Sequence, residues 1–157
     1  MTSTPTASAD GVTIPLPEGW EVVDLPGAQL AIAGPAGMAT ADGTQFRPSV
    51  NVVVAPAAPD ADIRTLGTEA VAAAHVVAPG THVLSYDLWP LGEDVYGRRL
   101  QFAYQEGDVP LCISQWIGLR DGAVTTVTAT SAITQLRRTY AAFEVIATAA
   151  LTGEQAS

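Results

Sequence analysis

The two histidines, His75 and His82, are the first residues to weigh for chemistry. A helix-to-strand turn could in principle bring both to one metal ion, with Asp87 as a third ligand. Nothing in their spacing fixes that geometry, so surface or half-buried imidazoles are the better reading and no metal is expected. Ser85, His82 and Asp87 have the side chains of a hydrolytic triad. Alternation along one strand, however, would put Ser85 and Asp87 on one face and His82 on the other. Glu93 with Asp94, and Glu106 with Asp108, sit in single turns, where neighbouring carboxylates diverge into solvent instead of flanking a substrate. Cys112 is the only cysteine, which excludes an internal disulfide and a thiolate zinc site. Its mid-strand position suits a structural thiol. The sequence has no Gly-x-Ser-x-Gly elbow, no glycine-rich phosphate loop after a strand and no His-Glu-x-x-His. The expectation is a protein without catalytic residues and without a cofactor.

Charge narrows the partners. The chain has a net charge of −9, and its seven basic residues, all arginines, form no stripe. Such a surface repels nucleic-acid phosphates and anionic headgroups, so nucleic acid is not an expected partner. No stretch approaches the roughly 18 apolar residues of a spanning helix. The opening MTSTPTASAD has neither a basic region nor an apolar run. Taken literally this implies a cytoplasmic protein; removal of a leader would move it to the cell envelope. With 157 residues and 48% hydrophobic side chains, the chain can bury the core of one ordinary domain.

Binding is therefore where function is sought, and the segment 98–131 is where the sequence is most regular. Arg98, Leu100, Phe102 and Tyr104 alternate with Arg99, Gln101, Ala103 and Gln105, the period of a half-buried strand. After Glu106-Gly107-Asp108, Val109, Leu111, Ile113, Ile117 and Leu119 share a face, against Cys112, Ser114, Trp116 and Arg120. Asp121-Gly122 tolerates positive φ at both centres of a tight hairpin turn. The strand 123–130 follows, with Ala123, Val127 and Ala129 on one side and room there for a helix. Trp116 lies on the less apolar side of its strand between small Ser114 and Gly118, which would leave its ring open. Trp116, Arg99, Ser114 and Val127 are thus the candidate partner-binding residues, on a sheet face expected to be exposed. Trp20 is expected in the core.

The remaining elements follow in order. Residues 1–11 read as a flexible tail and 12–152 as one domain, with 153–157 frayed. Short strands are expected over 12–16, 20–25 and 29–33, the first a sheet margin because Pro15 and Pro17 cannot donate. A loop over 38–47 contains Asp42-Gly43 and ends near Phe46, which should plug into the fold. PSVNVVVA, 48–55, is a strand. Asp60 or Asp62 caps a helix to about Val77, with Ile63, Leu66, Ala70, Ala73 and Val77 at helical spacing. Residues 81–89 are extended and 92–97 form an acidic loop. Ser131 or Thr134 caps a second helix, striped by Leu136, Tyr140, Phe143, Ala147 and Ala150, which Gly153 stops. The sum is a single α+β domain: an antiparallel sheet of about seven to eight strands with two main helices.

The opening IPLPEGWEVVD, the strand PSVNVVV, the helix after Asp60 or Asp62 and the closing TVTATSAITQLRRTYAAFEVI together resemble the PsbP/MOG1-like fold. In detail they are similar to actinobacterial LpqN/LpqT-type proteins and the wider DUF1795 group, which includes DcrB-like proteins and the Eag chaperones of secretion effectors. The resemblance implies a non-catalytic scaffold, chaperone or adaptor, that binds a protein or peptide on a sheet face, linked to secretion or the envelope. A homodimer through an open face is compatible with it. The alternative from the residues is a carrier holding a small hydrophobic ligand between sheet and helices.

Overall fold

A computed structural model describes residues 3–35 and 45–153 of the chain. The elements are β1 (Thr6–Ala9), β2 (Val12–Pro15), β3 (Glu21–Val22), β4 (Leu30–Ala33), β5 (Ser49–Pro56), α1 (Ile63–His75), β6 (His82–Gly92), β7 (Val95–Glu106), β8 (Val109–Arg120), β9 (Ala123–Ala132), a 3₁₀ turn (Ile133–Gln135) and α2 (Leu136–Thr152). Seven strands form one antiparallel sheet in the order β3-β4-β5-β9-β8-β7-β6, and β1 pairs with β2 in a separate hairpin. This is the α+β architecture that the strand periods and the two helical stripes imply.

The helices lie on opposite faces of the sheet. α2 and the β1–β2 hairpin cover one face, where Leu30, Ile32, Val50, Val52, Trp116, Val127 and Ala129 meet Phe143, Ile146, Ala147 and Leu151. Ala129 lets the helix approach, as small side chains on β9 should. On the other face α1 packs through Ala70, Val71 and Ala74 over Leu100, Phe102, Leu111 and Ile113, with Phe46 plugged into the same cluster. Both faces of the sheet thus carry a helix. β8 is apolar on both sides, Leu111 and Ile113 on one and Trp116 on the other, because both sides are buried.

Several boundaries differ from the sequence reading, each for a local reason. Residues 6–9 are not a tail. They form β1, with Ala7 buried, and Asp10 and Gly11 turn the chain at φ 49 and 81, the dipeptide geometry that Asp121 and Gly122 adopt at φ 51 and 73. The acidic segment 92–97 is not a loop: β6 runs on to Gly92 and β7 begins at Val95, with Asp94 at φ 55 in the turn between them. Pro90 is tolerated inside β6 because that strand is the margin of the sheet. Only Glu21–Val22 of the segment 20–25 is strand. α1 stops at His75, and its buried positions are Gly67 and Ala74 instead of Ala73 and Val77. Its N-cap is Asp62, whose carboxylate accepts from the Thr65 N–H at 3.3 Å. The N-cap position of α2 is Gln135 and not Ser131 or Thr134; the 3₁₀ turn precedes it, and the Ala132 N–H donates to Gln135 Oε1 at 3.1 Å. Gly153 does end it, at φ 68. The Asp42-Gly43 loop and residues 154–157 lie outside the described residues.

Candidate functional site

Antiparallel register sets the candidate residues side by side. Asp87 on β6, Arg99 on β7, Trp116 on β8, Val127 on β9 and Val52 on β5 are successive cross-strand partners. The adjacent row on the same face runs Ser85, Gln101, Ser114, Ala129 and Val50. Trp116, Arg99, Ser114 and Val127 therefore do meet on one face. That face, however, is the one under α2. Trp116, Ser114 and Val127 are each 0% exposed, so the expectation of an open binding surface around them is corrected. The small neighbours of Trp116 make room for α2 and not for a partner.

Both rows change character toward the β6 margin, where α2 covers the sheet only in part, through Tyr140. There Arg99 is held from several sides. Its guanidinium lies 5.6 Å from the Trp89 ring centroid and 6.0 Å from that of Tyr140. It donates to the Tyr140 hydroxyl and to Asp87, with which it forms an ion pair. Tyr140 stacks on Trp116 at 6.2 Å, and Trp89 meets Trp116 edge-on at 6.0 Å. The second row is tied by hydrogen bonds from Ser85 Oγ to Gln101 Oε1 at 3.3 Å and from Gln101 Nε2 to Ser114 Oγ at 3.1 Å. Arg99 and Gln101 form one wall of an open groove of about 610 Å³; Ile133, Leu136, Arg137, Tyr140 and Ala141 complete it.

The electrostatics of this cluster favour fixed charge over proton transfer. Burial alone would lower the Arg99 pKa, but the bonds to Asp87 and Tyr140 outweigh it and the net displacement is upward. Burial raises the Tyr140 hydroxyl, and its bond to Glu144 raises it further, against an opposing pull from Arg99. Arg99 thus stays cationic and Tyr140 stays protonated through the neutral range. Elsewhere burial pushes the Cys112 thiol up, which fits an inert thiol in the core.

The metal and triad arrangements weighed above are not assembled. Among the described residues no three of His, Cys, Asp and Glu converge on one point. A β-bulge between Val83 and Ser85 shifts the strand period, so His82, opposite Ala103, shares the face of Ser85 and Asp87. The alternation argument for His82 is corrected on this point. Even so, the Ser85 hydroxyl donates to Gln101 and Asp87 is taken by Arg99. The space between α2 and the sheet, where a small hydrophobic ligand was considered, is occupied by Trp116, Phe143 and Ile146 at 0–1% exposure.

Tyr140, Trp89, Ile133 and Arg137 belong to this region and were not among the candidates. Tyr140 read as a core stripe residue, which it also is. Ile133 and Arg137 become neighbours of β7 only through the 3₁₀ turn that starts α2.

No family model matches the chain, and no curated protein matches it in sequence. The fold has clear relatives among solved structures. LpqN of Mycobacterium tuberculosis, described as involved in cell envelope biogenesis, aligns at a TM-score of 0.62 with 15% identity, over 85% of this chain and 78% of its own. CyanoP, the cyanobacterial PsbP of Synechocystis, aligns at 0.62 with 15% identity over 94% and 91%. The Ran-binding protein Mog1p of Saccharomyces cerevisiae aligns at 0.56 with 12% identity over 96% and 90%. The chain has the PsbP/MOG1-like fold, with LpqN-type similarity. No helix among the described residues is long and apolar enough to cross a membrane.

Proposed function

We propose that this protein is a non-catalytic protein-binding module, of the adaptor or chaperone kind, whose partner docks in the groove between β7 and the start of α2. The observation that carries the reading is the fixed Arg99 guanidinium, clamped between Trp89 and Tyr140 beside an apolar lip at Ile133 and Leu136. Arg, Trp and Tyr are the residues on which interfaces concentrate their energy, and an anchor already ordered loses little entropy when a partner arrives. The displaced pKa values support a non-catalytic role, since Arg99 and Tyr140 both move away from the range in which they would exchange protons near neutrality. A Ran-binding relative and an envelope-linked relative share the fold. They make a protein partner and an envelope or secretion setting reasonable for this chain, while fold analogy alone does not choose the partner.

The test is capture of partners from the native host with the unaltered protein, Ile133→Asp and Arg99→Ala, each variant first checked for an unchanged melting temperature. Ile133 is 44% exposed, so its substitution should leave the fold intact. A protein retained by the native chain and lost with Ile133→Asp is the expected result. A partner that binds all three equally, or none recovered under crosslinking, overturns the groove as the docking site.

A further inference from the structure

The sheet ends very differently at its two margins. At one side β3 has two residues, too short to template another strand. At the other, β6 extends over eleven residues, His82–Gly92, and is paired with β7 alone. This open strand is also apolar. Leu84 is 57% exposed, Tyr86 39% and Leu88 58%, and Val95 and Tyr96 at the start of β7 are exposed beside them. Tyr86 and Leu88 stand across from Leu100 and Arg98 on the α1 side of the sheet, away from the Arg99 groove. A long apolar edge of this kind pairs with another strand unless it is blunted.

We propose that two copies of this chain associate by antiparallel pairing of β6 with β6 about a two-fold axis at Tyr86. Charge is the first argument. On a chain of net charge −9, residues 82–92 contain a single acid, Asp87, which Arg99 already neutralises. This strand is therefore one place where a second such molecule meets no opposing charge at contact. Register is the second argument. Centred on Tyr86, the pairing sets Tyr86 against Tyr86 and Ser85 against Asp87, with Leu88 of each copy flanking the pair. Apolar residues then meet apolar ones, and each carboxylate faces a hydroxyl. Centred on Asp87, the two carboxylates would face each other. Centred on Leu88, Tyr86 would face Pro90, which has no N–H to donate. The bulge at Leu84 and the irregularity after Pro90 limit the regular run to Ser85–Pro90, so the pairing is short and its strength depends on concentration.

Analytical ultracentrifugation over a dilution series tests this with the unaltered chain. It is expected to shift from one to two chain masses as concentration rises. Leu88→Lys should weaken the dimer at least about tenfold by placing like charges on the shared edge, with no change in melting temperature in dilute solution. Tyr86→Cys should form an intermolecular disulfide under mild oxidation, because that position faces its own copy, whereas Leu84→Cys should do so far less. Ile133→Asp, which alters only the groove, should dimerise normally, so failure of the groove reading and of this one can be told apart. A native chain that stays monomeric throughout overturns the proposal, including the case where an extended peptide from another protein takes the β6 edge. A dimer indifferent to Leu88→Lys overturns it as well.

Discussion

α1 and α2 cover opposite faces of one sheet, and they do so unequally. Among the described residues the α2 side gathers thirteen buried members into one cluster, with the Trp116, Phe143 and Ile146 side chains at its centre. The α1 side gathers five, and its helix buries only Gly67 and Ala74. Gly67 leaves room for Tyr86: a Cβ there would run into the Tyr86 hydroxyl and come within 3.0 Å of Arg98 Cγ. The α1 side keeps large apolar side chains in the open, at Val76, Val77 and Leu88. Buried packing is concentrated under α2, and the proposed docking surfaces lie toward β6, at the edge of both layers.

Removing the keystone of the thicker side should break this contrast most severely. Trp116→Ala deletes a ring at 0% exposure that touches both Trp89 and Tyr140, and should cost about 3–5 kcal/mol in denaturant unfolding. It would also release Arg99 from its clamp, so a loss of partner binding in this variant reports the lost clamp and lost stability and not a direct contact of Trp116. Leu100→Ala makes the matching cut on the α1 side. A smaller loss of about 2–3 kcal/mol is expected, because half-exposed Tyr86 and Leu88 can close over the gap. Native-state hydrogen exchange should separate the two: Trp116→Ala should speed exchange in β8 and β9, and Leu100→Ala chiefly in α1. Equal losses with the same exchange pattern would show that the sides do not differ as described.

How much of this was legible in the chain depends on what each feature rests on. The β7–β8–β9 meander could be read because alternation and Asp121-Gly122 are local signals, and the α2 stripe because Phe143 and Ala147 recur at helical spacing. The same Asp-Gly signal at Asp10-Gly11 is not legible, since the strands beside it, TASA and VTIP, are too short to show a period. Which face α2 would take was not legible at all. β8 carries apolar residues on both sides, and only tertiary packing decides that Trp116 goes under the helix. Of the site, Arg99 was found by its strand position. Tyr140 and Ile133 were not, because they reach β7 from the far end of the sequence. The bulge at Leu84, which moves His82 to the face of Ser85, leaves no sign in an alternation count.

The starts of the two helices carry the smallest effects and sharpen the contrast in sign. α1 opens on a true cap, so Asp62→Ala should cost about 1 kcal/mol, with faster exchange confined to the first turn. Ser131, the residue before the 3₁₀ turn of α2, offers the same type of side chain by sequence. Its hydroxyl is buried and has no hydrogen-bond partner among the described residues. A buried hydroxyl in that state is a cost, and replacing it with a methyl group removes the cost without opening a large cavity. Ser131→Ala should therefore be neutral or stabilising by up to about 1 kcal/mol in the same unfolding assay. A loss like that of Asp62→Ala would mean that Ser131 does cap α2, and that the tight side of the sheet depends on a polar contact at its helix start as the thin side does.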